Sequence, residues 1–557
     1  MVMLFLNVFL LLFLHLAHAA SIISRSQSYP LDSTTLGPKS DLVIANYYIA
    51  PDGLNRSTTL AGGTFPGPII AAKKGDKFDI NVVNQLSDDD QYKVTTVHWH
   101  GIYQNGSNYM DGMSMVTQCP IAQNDSFLYS FSAQQQTGTY WYHSHYSTQT
   151  CDGLRGPLII YDPEDPLAHL YDVDDETTVI TLADWYHTVA PVLNHFIGVH
   201  VSSSLINGAG RYQGGPLTDL AVINVEHGKR YRLRLIGLSC HSTFIFSVDY
   251  HDMKVIEADG EETEPLLVDS LQILPGQRYS VVLEANQPVD NYWLRALPDI
   301  ANATFSGGQN VAIVRYKGAP IADPTRNDTM NSTMPLVETN LHALIDPGVP
   351  GIPGYGNADI NLMMVMNLSD HGIYTVNNVT YLPPTVPVLL QILSGAQEAT
   401  DLLPSGSVYV LQPNKVVELT MQIAYAGGPH PIHIHGHSFH VVQSAGNSSF
   451  NYINPVRRDV VSAGILDQQM VIRWVTDNPG PWFLHCHIDW HLQAGFAVIM
   501  AESPSETKQH TGDTPNAWDN LCPIYDVLTP HQIGAENSYQ EALNLTSPSL
   551  LFPPNVP

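Results

Sequence analysis

Apolar and polar residues alternate in many short runs along the chain, and stretches rich in glycine and proline separate these runs. Because successive side chains of a strand point to opposite faces, a period of two predicts half-buried β-strands. Long runs with helical periodicity are hard to find. Many short strands between turn residues are typical of an all-β sandwich or barrel, and we predict that fold class.

One strand pattern occurs three times, each time after turn residues and with apolar side chains at alternate positions: Phe78, Ile80 and Val82; Tyr231, Leu233 and Leu235; Val417, Leu419 and Met421. Each set should face a second, packed sheet. Either these strands resemble one another by chance or the chain holds three related β-domains. We predict domains at 21–165, 166–335 and 336–533, followed at 534–557 by a poorly ordered tail rich in serine, asparagine and proline.

Residues 1–20 are apolar up to Leu16 and close on Ala17-His18-Ala19, a small-x-small pattern typical of signal peptide cleavage. They contain no lysine or arginine, and a membrane anchor is the alternative interpretation. Sequons for N-glycosylation stand at Asn55, Asn105, Asn124, Asn302, Asn327, Asn331, Asn367, Asn378, Asn447 and Asn544. We therefore predict a secreted, glycosylated protein.

The formal net charge is −28, because 52 acidic residues outnumber 24 basic ones. Nucleic-acid binding depends on clustered lysine and arginine, so the charge argues against nucleic acid and anionic membranes as partners. Five cysteines form an odd set for an oxidising compartment. Cys486 lies between two histidines, which suggests a metal ligand, and the other four cysteines allow three disulfide pairings.

Four His-x-His units stand in the sequence: His98-Trp99-His100, His143-Ser144-His145, His433-Ile434-His435 and His485-Cys486-His487. On a strand, residues i and i+2 point to the same face, so each unit presents two imidazoles side by side. A single unit is more often a structural pair than a ligand pair. Eight imidazoles, however, satisfy a three-copper cluster in which one copper takes two histidines and each of a coupled pair takes three.

Cys486 must point away from its two flanking histidines if the segment is extended, so one strand faces two metal sites. A blue copper centre needs one thiolate and two imidazoles, usually with a weak or absent axial ligand. His491 follows the cysteine by five residues, and His430 precedes the third His-x-His unit across a proline. An electron arriving at Cys486 can reach the cluster through the peptide bonds that join it to its neighbours.

These motifs resemble the copper signatures of the laccases in the multicopper oxidase family, and the resemblance covers nearly the whole chain after the signal. The matching segments are 98–101, 143–146, 430–437 and 485–491. The resemblance implies three consecutive cupredoxin-like Greek-key domains, four copper ions, and disulfides Cys119–Cys522 and Cys151–Cys240. It assigns His430, Cys486 and His491 to type 1 copper; His98 and His433 to type 2; and His100, His143 and His487, with His145, His435 and His485, to the type 3 pair.

Further roles follow from the same resemblance. Phe496 stands where some relatives carry an axial methionine, and a side chain that cannot coordinate should raise the type 1 potential. Asp111 stands where the family keeps an acid that relays protons to the cluster. His241 replaces an aspartate that accepts the phenolic proton, and we expect a phenol pH optimum shifted upward. His437 is expected to be structural.

The predicted function is one-electron oxidation of phenolic or aromatic reductants at the type 1 copper, with His491 among the catalytic residues, coupled to four-electron reduction of O2 to water. A ferroxidase is the nearest alternative, and it would need acidic residues beside the type 1 histidine. A copper-binding electron-transfer cupredoxin is a different class and has no use for the other eight histidines. We expect a monomer, with no nucleic acid or membrane partner.

Overall fold

The structure, a computed structural model, describes residues 35–196, 198–298, 310–325, 331–345, 348–545 and 551. The predicted signal peptide and two sequons, Asn302 and Asn327, lie outside these residues. No helix in the described part of the chain is long and apolar enough to cross a membrane.

Two four-stranded sheets occupy the first part of the chain, in the orders β2-β1-β4-β6 and β3-β8-β7-β5. Their strands are β1 (Lys39–Ile49), β2 (Arg56–Ala61), β3 (Ile70–Lys73), β4 (Lys77–Asn84), β5 (Val97–His100), β6 (Ser126–Ser132), β7 (Gly138–Ser144) and β8 (Arg155–Tyr161).

The second part forms a six-stranded sheet, β10-β9-β12-β17-β14-β15, and a five-stranded sheet, β11-β19-β18-β13-β16. Their strands are β9 (Val179–Trp185), β10 (Ser203–Ile206), β11 (Val222–Val225), β12 (Arg230–Gly237), β13 (Phe244–Val248), β14 (Met253–Ala258), β15 (Glu261–Val268), β16 (Leu271–Ile273), β17 (Arg278–Glu284), β18 (Asn291–Pro298) and β19 (Val311–Tyr316).

The third part repeats this arrangement with sheets β21-β20-β23-β28-β25-β26 and β22-β30-β29-β24-β27. Its strands are β20 (Ile360–Leu368), β21 (Tyr374–Val376), β22 (Val408–Leu411), β23 (Val416–Ile423), β24 (Pro431–Ile434), β25 (Phe439–Gln443), β26 (Arg457–Arg458), β27 (Val460–Ser462), β28 (Gln469–Val475), β29 (Gly480–Cys486) and β30 (Ala497–Glu502).

Helices are short and lie mainly in connections and near the C-terminus. They are α1 (Ala190–Leu193), α2 (Val388–Leu393), α3 (Asp489–Gln493), α4 (Pro504–Thr511), α5 (Asn516–Asp519), α6 (Leu521–Tyr525), α7 (Pro530–Ile533) and α8 (Ser538–Leu545). Single 3-10 turns are found at Asn108–Met110, Gln149–Asp152, Ala168–Leu170, Glu176–Thr178 and Glu338–Asn340.

The repeated sequence pattern corresponds to a repeated topology. Strands β4, β12 and β23 each pair in parallel with an earlier strand on one side, β1, β9 and β20, and antiparallel with a later strand on the other, β6, β17 and β28. The apolar residues that define the pattern are all buried. Each pattern strand thus turns one face to a packed sheet, and the predicted all-β fold of three cupredoxin-like domains is confirmed.

Both disulfides implied by the resemblance form. Cys119 joins Cys522, 403 residues later, and Cys151 joins Cys240. The first ties helix α6, near the C-terminus, to the first domain. Disulfides typically contribute about 2–4 kcal/mol each to stability.

The prediction of a poorly ordered tail is wrong for residues 538–545, which form helix α8. Its apolar positions Tyr539, Ala542 and Leu543 follow helical spacing, and Ala542 is fully buried beside Val192 and Leu551. An amphipathic stripe three and four residues apart stabilises a surface helix once it docks. The serine- and proline-rich composition of the whole segment concealed this stripe.

Candidate metal centre

The four His-x-His units lie at neighbouring positions on paired strands. Strands β5 and β7 are antiparallel, with His98 opposite His143. Strands β24 and β29 are also antiparallel, with His433 opposite His485. His100 shares a face of its strand with His98, and the second histidine of each other unit lies one residue beyond the end of its strand. Strand register therefore groups the imidazoles within each domain.

Eight imidazoles meet between the first and third domains. The ring of His98 stacks on that of His435 with centroids 3.9 Å apart, and His100 stacks on His433 at 3.8 Å. Within this cluster, ligand nitrogens close enough to share an ion are found in the groups His145, His435 and His485; His98, His100 and His143; and His98, His433 and His435. His487 joins through its Nε2, 3.2 Å from the Nδ1 of His100.

Backbone carbonyls determine which nitrogen of several rings faces the cluster. The Nδ1 atoms of His98, His143, His433 and His485 lie 2.7–2.9 Å from the carbonyl oxygens of Asp111, Ser144, Asp459 and Cys486, respectively. A proton held on Nδ1 leaves the lone pair on Nε2. Among the described residues, the buried Nε2 atoms of His98, His143, His145 and His433 have no hydrogen-bond partner. Converging, unpartnered lone pairs of this kind fit metal ions.

Two buried carboxylates contact the outer edge of the cluster. The Oδ2 atom of Asp111 lies 2.8 Å from the Nδ1 of His435. The Oδ1 atom of Asp459 lies 3.2 Å from the Nε2 of His100. Arg278 donates two hydrogen bonds of 2.7 Å to the Asp459 carboxylate. These contacts orient imidazoles, as carboxylates beside metal-binding histidines commonly do.

Burial keeps the cluster imidazoles neutral. Burial is the largest cause, and repulsion among neighbouring imidazoles is the main further one. Together they hold the pKa well below the usual range at six histidines: His100, His143, His145, His433, His435 and His487. Burial lowers the pKa of His485 to about 3. A neutral imidazole offers its lone pair without first losing a proton, which favours metal binding.

Cys486 points to the opposite side of β29 from its flanking histidines. Its Sγ lies 3.9 Å from the Nδ1 of His430 and 3.6 Å from the Nδ1 of His491. The chain turns into α3 directly after His487, which brings His491 back over the sulfur. Burial raises the pKa of the Cys486 thiol, so a thiolate at this position needs a compensating cation. One thiol and two imidazoles in this arrangement fit a blue copper site.

A cavity of about 200 Å³ opens beside this second site. The cavity is lined by the rings of His430, His491, His241, Tyr374 and Tyr425, together with apolar residues and glycines. None of the described lining residues is acidic. Both tyrosines are nearly buried, so their rings form walls rather than flexible surface groups.

His241 faces His491 across this cavity, with ring centroids 5.9 Å apart. Its backbone N–H donates to the buried carboxylate of Asp184. A hydrogen bond with the backbone of Val199 occupies one ring nitrogen, while Nδ1 has no partner among the described residues. Burial is the first cause that lowers the pKa of His241, which favours the neutral imidazole.

The other predicted residues are placed as follows. Phe496 is buried, with its ring 5.5 Å from that of His430. His437 lies outside the cluster, with its Nε2 2.9 Å from Glu502. Sequence reasoning missed Asp459, Arg278, Tyr374 and Tyr425. None of them belongs to a recognisable motif, and their proximity to the site arises only from the fold.

Family models described as multicopper oxidase match residues 44–165, 176–319 and 381–506, which together exceed half of the chain. The chain therefore belongs to the multicopper oxidase family, and the resemblance inferred from the copper motifs is confirmed. Among its relatives, Laccase-4 of Trametes villosa is 53% identical over 89% of this chain and 95% of that protein. Laccase-2 of Pleurotus ostreatus is 52% identical over 94% and 97%, respectively.

Two solved structures with the same architecture match this chain with nearly equal TM-scores. The laccase from Botrytis aclada is 32% identical, with a TM-score of 0.78, over 90% of this chain and 94% of that one. Fet3p, a multicopper oxidase that functions in iron import, is 28% identical, with a TM-score of 0.77, over 90% of this chain and 98% of that one. The same architecture is thus found in a laccase and in a multicopper oxidase that functions in iron import.

Proposed function

We propose that this chain is a laccase, an oxidoreductase that takes single electrons from phenolic or aromatic compounds and reduces O2 to water. Copper is the cofactor of the family, and four ions would supply one-electron uptake at the type 1 site and oxygen reduction at the cluster. His430, Cys486 and His491 would hold type 1 copper. Type 2 copper would be held by His98 and His433, and the type 3 pair by His100, His143 and His487 with His145, His435 and His485.

The observation that carries this proposal is the double-faced end of strand β29. The Cys486 sulfur faces His430 and His491, while the adjacent His485 and His487 reach the cluster on the other side. Two peptide units therefore link the residue that would receive an electron to residues that would pass it on. A cupredoxin that only transfers electrons has no use for the face of the strand end that carries His485 and His487.

The cavity beside His491 supports an aromatic reductant. Its walls are aromatic and apolar, and no carboxylate among the described lining residues is available to bind a hard cation such as Fe(II). A phenol whose hydroxyl lies between His491 and His241 could give up its proton as it is oxidised. The upward shift of the phenol pH optimum expected from His241 stays a prediction.

Proton supply to the cluster is the role we propose for Asp111. Its carboxylate is buried and touches His435 and His98, so it can hold a proton beside the site where oxygen is reduced. Phe496, which cannot coordinate a metal, would leave the type 1 site without an axial ligand. Asp459 and Arg278 would position His100 rather than carry protons.

Secretion and N-glycosylation belong to the same proposal. Among the sequon asparagines that the structure describes, all are exposed except Asn447, which is half-buried. Small phenols and O2 would be the partners.

Side-by-side turnover tests the choice between laccase and ferroxidase. Purified, copper-loaded protein should oxidise a methoxyphenol under air with a kcat/KM far above that for Fe(II), and both rates should be followed by oxygen uptake. Preferential oxidation of Fe(II) would assign the ferroxidase function instead. Absence of oxygen uptake with either reductant would favour the electron-transfer cupredoxin.

A further inference from the structure

A buried carboxylate, Asp184, holds the loop that carries His241. Asp184 lies on strand β9 and is fully buried. Its two oxygens accept the backbone N–H groups of three consecutive loop residues, Cys240, His241 and Ser242, at 2.8–2.9 Å. Three N–H groups that converge on one carboxylate fix the path of the backbone, because a buried amide turned away from it would lose its partner. The placement of His241 at the cavity therefore depends on Asp184.

Tyr186 extends this network to the helix that carries His491. The Tyr186 hydroxyl donates to Oδ2 of Asp184 at 3.0 Å and accepts the indole N–H of Trp490 at 3.1 Å. Trp490 lies on helix α3 and directly precedes His491. The rings of Tyr186 and Trp490 also pack edge to face, with centroids 5.3 Å apart. One hydroxyl thus connects the carboxylate that holds the His241 loop to the helix that presents His491.

The two connected elements form opposite sides of the cavity. The rings of His241 and His491 both line it and face each other with centroids 5.9 Å apart. Tyr186 does not line the cavity and is only 1% exposed, so water cannot readily replace its hydroxyl in the network. Loss of this hydroxyl should therefore loosen the spacing of the two imidazoles without removing any group that touches the reductant.

We propose that Tyr186 is a positioning residue for substrate selection: through Asp184 and Trp490 it sets the spacing between His241 and His491. A phenol that contacts both imidazoles as it loses its proton is sensitive to that spacing. A donor that gives up an electron without a proton needs only the copper ligand His491. This inference rests on the proposed function, which assigns phenols as reductants and His491 to type 1 copper.

The test removes one hydroxyl and keeps the ring. Tyr186→Phe should lower kcat/KM for a methoxyphenol about 3–10-fold, mainly through a higher KM, because misplacement of one imidazole weakens its contact with the bound phenol. The kinetics with ferrocyanide, which gives up an electron but no proton, and the blue absorption should not change. Tyr316→Phe is the matched control in the same domain. Tyr316 is fully buried, and its hydroxyl accepts the N–H of Gln287 and lies 2.6–2.8 Å class distance, 2.7 Å, from Nε2 of His251.

A double-mutant cycle separates the positioning of His241 from a general structural role. In a His241→Ala background, Tyr186→Phe should cause no further loss with the methoxyphenol, because the imidazole that it positions is absent. Losses that multiply in the double variant would overturn the inference. Unchanged phenol kinetics in Tyr186→Phe, or equal losses with methoxyphenol and ferrocyanide, would also overturn it and leave the proposed function standing. A native protein that oxidises no phenol would instead reject the proposed function itself.

Discussion

Replacing Arg278 with methionine should both destabilise the protein and disturb its copper cluster. Arg278 is fully buried, donates two 2.7 Å hydrogen bonds to Asp459 and two more to the carbonyls of Thr139 and Gly276. Asp459 in turn contacts His100 through its carboxylate. The guanidinium therefore connects strand β17 of the second domain to histidines supplied by the first and third.

The expected magnitude follows from the loss of a buried ion pair. Methionine fills part of the volume but leaves the Asp459 carboxylate buried and without its cation. Removing one partner of such a pair typically costs about 3–5 kcal/mol of stability, because the remaining charge is buried away from water and no opposite charge compensates it. Since Asp459 also orients His100 and His433, we expect copper at the cluster to fall along with stability.

Urea unfolding followed by tryptophan fluorescence measures the free energy of unfolding, and metal analysis of the purified variant measures copper. Arg295→Met is the control, because Arg295 makes a comparable two-bond pair with Asp249 but is partly exposed and remote from the cluster. The control should lose less stability and keep its copper. If the free energy of unfolding of Arg278→Met lies within about 1 kcal/mol of the native value and the variant retains full copper, the role assigned to this pair is wrong.

Three further predictions concern tuning, pH and substrate. Phe496→Met should lower the type 1 potential, because a thioether can act as an axial ligand, and an unchanged or higher value in a redox titration would refute this. Burial and the carboxylates of Asp165 and Glu257 raise the pKa of Glu262 from 4.5 to about 7. The folded state thus holds this proton more tightly, and native stability should fall by about 1–2 kcal/mol, allowing for solvent screening, as pH rises through that window. Glu262→Gln should make the fall smaller by this amount in urea titrations at pH 4 and pH 8, whereas an equal pH dependence in both proteins would contradict the assignment. His241→Ala should lower kcat/KM for a methoxyphenol by a factor on the order of 10–100 while sparing a non-phenolic donor, and equal losses for both would argue against a proton-accepting role.

Much of the architecture could be predicted from period-two patterning, because the burial of one face of a strand leaves a direct record in the sequence. The alternating residues Phe78, Leu233 and Leu419 are buried on the central strands that share a topology in all three domains. Helix α8 was missed because its apolar stripe is short and lies in a segment of polar composition.

The candidate ligands could be selected because strands give i and i+2 a common face, which makes His-x-His a local signal. The residues that surround these ligands could not be predicted from the sequence. Arg278 acts on His100 through Asp459, which lies 181 residues later in the chain, and no local pattern records such a contact. Tyr425 lies only five residues before His430, but its contact depends on a glycine turn whose path is not encoded in residue spacing.

The central claim is that the two faces of the strand end at Cys486 serve two different metal sites. Spectra and copper content of the purified native protein and of Cys486→Ser test it most directly. The account predicts a blue native protein with four copper ions per chain, and a colourless variant that lacks one copper but keeps the spectroscopic signature of the cluster. A native protein without blue absorption, or a variant that stays blue, would contradict it.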